Sequence, residues 1–170
     1  MDTEIKWRAA EGIEKLNLPN SKSRYNDNKL TKHLHRNMIG DIIPTPKSIK
    51  KISGKYDLKD TFNISFNDDE FTDVINLYLK NSNEFLGVKH NKNVEDYDIL
   101  LTKNESFSDE EYTLNIIDEE IKINFADKSG LSYALNSLFQ LLINAKIEKS
   151  NFISNYEIHD VPRFKYRLSL

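Results

Sequence analysis

The longest regular pattern in the chain is a helical stripe. Leu131, Ala134, Leu135, Leu138, Leu142 and Ala145 recur at the spacing of one face of a 3.6-residue turn, and Phe139 and Leu141 widen that face. The spacing predicts a helix over 129–145, buried deep in a core. Just upstream, two runs alternate with period two. In 112–117, Tyr112, Leu114 and Ile116 share a side, and in 121–125 Ile121, Ile123 and Phe125 do. With residues 118–120 between them they form the clearest hairpin of the sequence, although its turn has no glycine to fix a type. Asp127 or Ser129 can cap the helix that follows.

The earlier pattern is shorter-ranged. Residues 61–66 alternate, with Phe62, Ile64 and Phe66 on one face, as a half-buried strand does. Asn67 with Glu70 three residues later has the form of a capping box. Phe71, Val74, Ile75, Tyr78 and Leu79 then continue as an amphipathic helix to about residue 81. Residues 81–96 read as a polar loop with His90 in solvent, and 97–102 as a central strand. Before all of these, Pro44 and Pro46 hold 41–52 extended, as the entry into a domain along an edge strand, and Gly54 marks a turn. Strand, helix, strand, hairpin and helix follow in that order.

Residues 1–40 differ in composition. Ile5, Arg8, Ala9, Gly12, Ile13 and Leu16 line one side of a short helix with Trp7 as anchor, and 19–40 read as a linker rich in Asn, Lys, Ser and His. The run after residue 156 reads as the start of another strand at the end of the sequence, which points to truncation.

Composition narrows the options. At 170 residues the chain is expected to be one domain with an appended segment, able to bury roughly 70% of its unfolded surface. It has no cysteine, which excludes disulfides and thiolate chemistry. Net charge is −3, from 24 basic and 27 acidic side chains that are well mixed, so no basic stripe for nucleic acid forms. No apolar run has transmembrane length, and the first residues lack the apolar core of a secretory signal, so the expected location is the cytoplasm and no membrane partner is expected.

Candidate chemistry is sparse. His33 and His35 form an H-x-H pair without a third ligand nearby, so a solvated basic loop with Lys32 and Arg36 outweighs a metal site. The acidic runs 68–70, 109–111 and 118–120 fall at a helix start, in a loop and in a turn. Negative charge in a first helical turn has the structural role of favouring the helix dipole, and this outweighs a catalytic pair. His159 and Asp160 are adjacent and lack a nucleophile, and the aromatic residues fall mostly on inward positions. The sequons at Asn63 and Asn104 carry little weight without a secretory signal. No phosphate-binding or nucleophile-elbow motif is present. No metal, no cofactor and no catalytic residue is expected within the chain.

Three segments in order carry a resemblance. Ile42-Ile43-Pro44-Thr45-Pro46-Lys47 has a Pro-x-Pro opening. Glu111-Tyr112-Thr113-Leu114, Gly130, Tyr133-Ala134-Leu135 and Leu138-Phe139-Gln140-Leu141-Leu142 follow. Last comes Ile158-His159-Asp160-Val161-Pro162-Arg163-Phe164-Lys165-Tyr166-Arg167. Over about 41–170 the chain resembles the non-catalytic domain that precedes the barrel in family-20 glycoside hydrolases, the β-N-acetylhexosaminidases. A family that removes N-acetylglucosamine from proteins has a similar leading domain, and the Pro-Arg-Phe order favours family 20.

The resemblance implies an α+β fold, a mainly antiparallel β-sheet covering two α-helices. It implies a catalytic barrel as partner, and cleavage of terminal N-acetylhexosamine by that barrel with help from the sugar's own acetamido group. The barrel's Asp-Glu pair has no match in this chain. Arg167 matches the arginine that reaches the non-reducing sugar's hydroxyls, a task suited to a fixed fork of donors. Leu168 stands where the family usually has glycine or a small residue, and Asp160 and Arg163 are structural. The expected organisation is 1–40 extension, 41–160 accessory domain and 161–170 the start of a barrel. The alternatives are a free-standing binding or interaction module on the same fold and, last, an intact small enzyme.

Overall fold

The computed structural model describes residues 20–29, 40–66, 69–92 and 96–161. Residues 1–39 and 40–170 separate into two compact units. In the first, α1 (Ser21–Lys29) is a polar helix with no buried residue. The Asn20 side-chain oxygen accepts from the Ser23 N–H at 2.9 Å, so a helix forms where the composition predicts linker. The expected helix around Trp7 and the His33–His35 pair lie outside the described residues.

The second unit runs β1 (Ser48–Asp57), β2 (Thr61–Ser65), α2 (Thr72–Asn81), β3 (Lys89–Lys92), β4 (Ile99–Lys103), β5 (Tyr112–Ile117), β6 (Glu120–Phe125), α3 (Lys128–Glu148) and β7 (Phe152–Asp160). The strands form one sheet in the order β1-β7-β5-β6-β4-β2-β3. From β1 to β6 neighbours are antiparallel, and these ladders are the longer ones. From β6 to β3 they are parallel; for β2 and β3 this follows from the crossover through α2, which returns the chain to the sheet in the same direction. The fold is α+β, a mixed sheet with α2 and α3 packed together against it.

Period two decides which side of the sheet is apolar. Ile116, Ile121, Ile99 and Ile64 sit opposite one another in register across four strands, and none is exposed. Leu114, Ile123 and Leu101 make the next row. Onto these rows α3 lays Leu131, Ala134, Leu135, Leu138, Leu141, Leu142 and Ala145, all buried. Ser137 is the polar member of that face, and its hydroxyl is hydrogen-bonded to the buried Tyr112 hydroxyl at 2.8 Å. The helix starts where Asp127 Oδ1 accepts the Gly130 N–H at 2.9 Å. It stops where Lys149 turns left-handed (φ 55°) and the Ser150 N–H reaches back to the Ala145 carbonyl.

Three expectations need correction. The hairpin loop is two residues, Asp118 and Glu119, because Glu120 already pairs with Ile117. Gly54 lies inside β1, at the bulge between Ile52 and Lys55, with φ 108°. A Cβ there would approach Asn155 Nδ2 to 2.3 Å and Asp118 Oδ1 to 2.8 Å. The α-helix itself begins at Thr72, behind a 3-10 turn (Asp69–Phe71); the expected capping box turns on Asn67, which lies outside the described residues. Finally, the presumed loop holds β3, a parallel edge strand on β2. His90 is therefore half-buried, with its ring stacked on Phe62 and set edge-on to Tyr78.

Candidate functional site

The acidic runs do not meet. Asp69 and Glu70 lie in the turn before α2, Asp109 to Glu111 lie before β5, and Asp118 and Glu119 lie at the far end of β5, roughly 20 Å from Glu111 at strand rise. A general acid needs a raised pKa. Asp73 and Glu111 are instead held below the ordinary carboxylate range. For Asp73 the main cause is the Val74 N–H, with Lys128 adding to it. For Glu111 the main cause is the Ser108 N–H, and the His159 imidazole adds to it.

The concavity between β2, the segment after α2 and the end of α3 measures about 270 Å³, near the low end for a small-ligand site. Its walls are Leu58, Phe62, Leu86, Val88 and Leu142. Its lysines are engaged elsewhere, Lys59 with the buried Asp98 and Lys146 with the Phe85 carbonyl. Asp60 is its one carboxylate among the described residues.

Polar side chains instead organise the places where the chain enters and leaves the domain. The exit is β7, held between β1 and β5. At its end Asp160 Oδ1 accepts the Lys47 N–H at 2.9 Å, which ties the exit to the start of β1. Beside it, His159 Nε2 lies 2.8 Å from Glu111 Oε1, and Glu111 Oε2 accepts the Ser108 N–H at 2.9 Å. The same loop is fastened to α3, since Asp127 Oδ2 accepts the Glu110 N–H at 2.9 Å and the Glu111 carbonyl accepts the Ala126 N–H. The backbone approach is so close that a Cβ on Gly130 would stand 2.7 Å from the Glu111 carbonyl oxygen. Hence Gly130 follows from packing, and Asp160 has the structural role the sequence gives it.

The entry is a strap. Gln140, on α3, accepts the Ile43 N–H at 2.9 Å and donates to the Ile43 carbonyl at 3.0 Å, so one side-chain amide acts as a strand partner. Asn144 donates to the Asp41 carbonyl at 2.9 Å, and the Tyr156 hydroxyl donates to Asp41 Oδ2 at 2.6 Å. The apolar stripe could not reveal this clamp. The signal was the polar pair Gln140 and Asn144, four residues apart and so on one side of α3. Arg167 and Arg163 lie outside the described residues.

The two faces of the unit differ in character. The outer sheet face carries Lys50, Thr113, Asn115, Lys122, Asn124, Glu157 and His159 by alternation, with Ile117 as an apolar member. The helix side leaves large apolar side chains in the open: Leu77 is 59% exposed, Phe85 56% and Ile147 63%, and the strap adds Ile43 at 62%. Phe85 meets Phe139 edge-on, with ring centroids 6.3 Å apart. Large apolar side chains left open on the helix side are candidates for an interaction surface.

The family model for glycosyl hydrolase family 20, domain 2 matches residues 40–161. Among solved structures, the exo-β-N-acetylglucosaminidase of Vibrio harveyi is similar over 75% of this chain at 20% identity and a TM-score of 0.64. The β-N-acetylhexosaminidase of Bacteroides fragilis is similar over 75% at 27% identity and a TM-score of 0.60. The β-hexosaminidase of Streptomyces plicatus is similar over 75% at 22% identity and a TM-score of 0.64. The matched region spans 20%, 26% and 27% of those three chains, respectively. No curated protein sequence matches.

Proposed function

Given that the chain belongs to the domain-2 family of glycosyl hydrolase family 20, we propose that it is the scaffold that seats the catalytic barrel of a β-N-acetylhexosaminidase. As a non-catalytic accessory domain of a glycoside hydrolase, it supplies a surface and fixed attachment points. The observation that carries the reading is the exposure of Leu77, Phe85 and Ile147 on the helix side, opposite a mostly polar sheet face. In this reading the barrel covers the helices, and the clamped end of β7 sets where the first barrel strand begins. Cleavage of terminal N-acetylhexosamine then belongs to the barrel, whose sites sit at the C-terminal ends of its own strands. The match of 158–167 to the family's linking run supports Arg167 as the residue that reaches the sugar's hydroxyls in the assembled enzyme.

The test is direct. The purified 170-residue chain is incubated with a chromogenic N-acetyl-β-glucosaminide. The scaffold reading expects release no faster than in buffer. Turnover that copurifies with the chain and is lost on substituting its own carboxylates would overturn it.

A further inference from the structure

β3 is held at the sheet edge by an imidazole that has no place for a second proton. The strand pairs only with β2, and its four residues, Lys89, His90, Asn91 and Lys92, contain no aliphatic side chain to anchor it. His90 does that work. It stands opposite Phe62 in register, and its ring stacks on the Phe62 ring with centroids 6.0 Å apart and planes at 23°. Tyr78 of α2 closes the other approach, edge-on at 5.5 Å. Nε2 is buried and has no hydrogen-bond partner among the described residues.

A neutral imidazole fits this slot, whereas an imidazolium would carry a proton on the buried Nε2 with no acceptor among the described residues. The described groups around it give no relief. Lys89 and Lys92 flank it on its own strand, Tyr78 faces it from α2, and Tyr56 stacks on Phe62. β2 contributes no titratable side chain. Burial alone lowers the His90 pKa from 6.5 to about 4, with no carboxylate acting on it.

We propose that β3 is an acid-released edge strand: protonation of His90 frees it from the Phe62–Tyr78 slot and leaves the β2 edge open. The sign follows from linkage. The docked strand favours the neutral ring and the released strand takes up a proton with an ordinary pKa, so docking is strongest above about pH 6.5 and weakens as the pH falls toward 4. Between pH 7.5 and 5.0 those two values give an increase of about 30-fold in the opening constant. An opened β2 edge is a template for pairing with another chain, so weak association in acid should accompany release.

Amide hydrogen exchange of the purified chain at pH 7.5 and 5.0, corrected for intrinsic rates, reads the opening of β2 and β3. The expected result is about 30-fold faster opening at pH 5.0 in these two strands, with α3 and the β5–β6 hairpin unchanged. His90→Phe, which keeps an aromatic ring and removes the proton site, should abolish the pH effect. The His90 ring proton signals give an independent reading should that variant fold poorly. A ring that titrates near 6.5 while the β3 amides stay protected would overturn the proposal, as would opening that is equal at both pH values. Neither result bears on whether the helix side seats a barrel.

Discussion

At the scale of single residues, the fold depends on a few polar side chains that close backbone gaps. Asn155 is the clearest. It is buried in β7, its oxygen accepts the Asp118 N–H at 3.1 Å, and its amide donates to Asp118 Oδ1 at 2.9 Å and the Ser53 carbonyl at 3.2 Å. One side chain thus fixes both the β1 bulge and the left-handed Asp118 of the hairpin turn (φ 48°). Gly130 is the complementary case, since its lack of a side chain allows α3 to start against the Glu111 carbonyl. Gly130→Ala should lower stability by about 1–3 kcal/mol in urea unfolding at pH 7, because the added methyl meets backbone that cannot yield as a flexible side chain would. These two residues were unequally legible. Gly130 stood out within a familiar run of residues, whereas nothing around Asn155 in sequence announces a bulge 100 residues away.

At the scale of elements, legibility followed length. The stripe of α3 spans more than four turns, and the alternation of β5 and β6 repeats three times on each strand, so local pattern and tertiary burial agree there. β3 gave no such signal. It exists because β2 offers an edge and the crossover through α2 brings the chain back to it, a case where tertiary pairing overrides weak propensity. The strap shows the same limit, because proline spacing predicts extended backbone and cannot say what receives it. Gln140→Ala removes both hydrogen bonds to Ile43 and should cost about 1–2 kcal/mol. It should also speed hydrogen exchange at the Ile43 amide while leaving the centre of α3 unchanged.

At the scale of the whole molecule, the second unit is two-sided. Its sheet meets water with Lys, Thr, Asn and Glu side chains, while its helices present Leu77, Phe85 and Ile147. Lysines in both edge strands, β1 and β3, further discourage growth of the sheet, so contact is directed toward the helix side. Sequence pattern sorted α2 correctly, since the stripe of Phe71, Val74, Ile75, Tyr78 and Leu79 leaves out the exposed Leu77, but it gave no sign that Phe85 and Ile147 also lie open. The role proposed for Arg167 rests on resemblance alone, and Arg167 lies outside the described residues.

Sedimentation velocity of the isolated chain tests the helix-side seat most directly, compared with a variant carrying Leu77→Ser, Phe85→Ser and Ile147→Ser. With the seat uncovered, the parent chain should self-associate at neutral pH as its concentration rises, and the variant should stay monomeric with its melting temperature nearly unchanged. A parent chain that remains monomeric throughout, or an association that the three substitutions leave intact, would contradict the account.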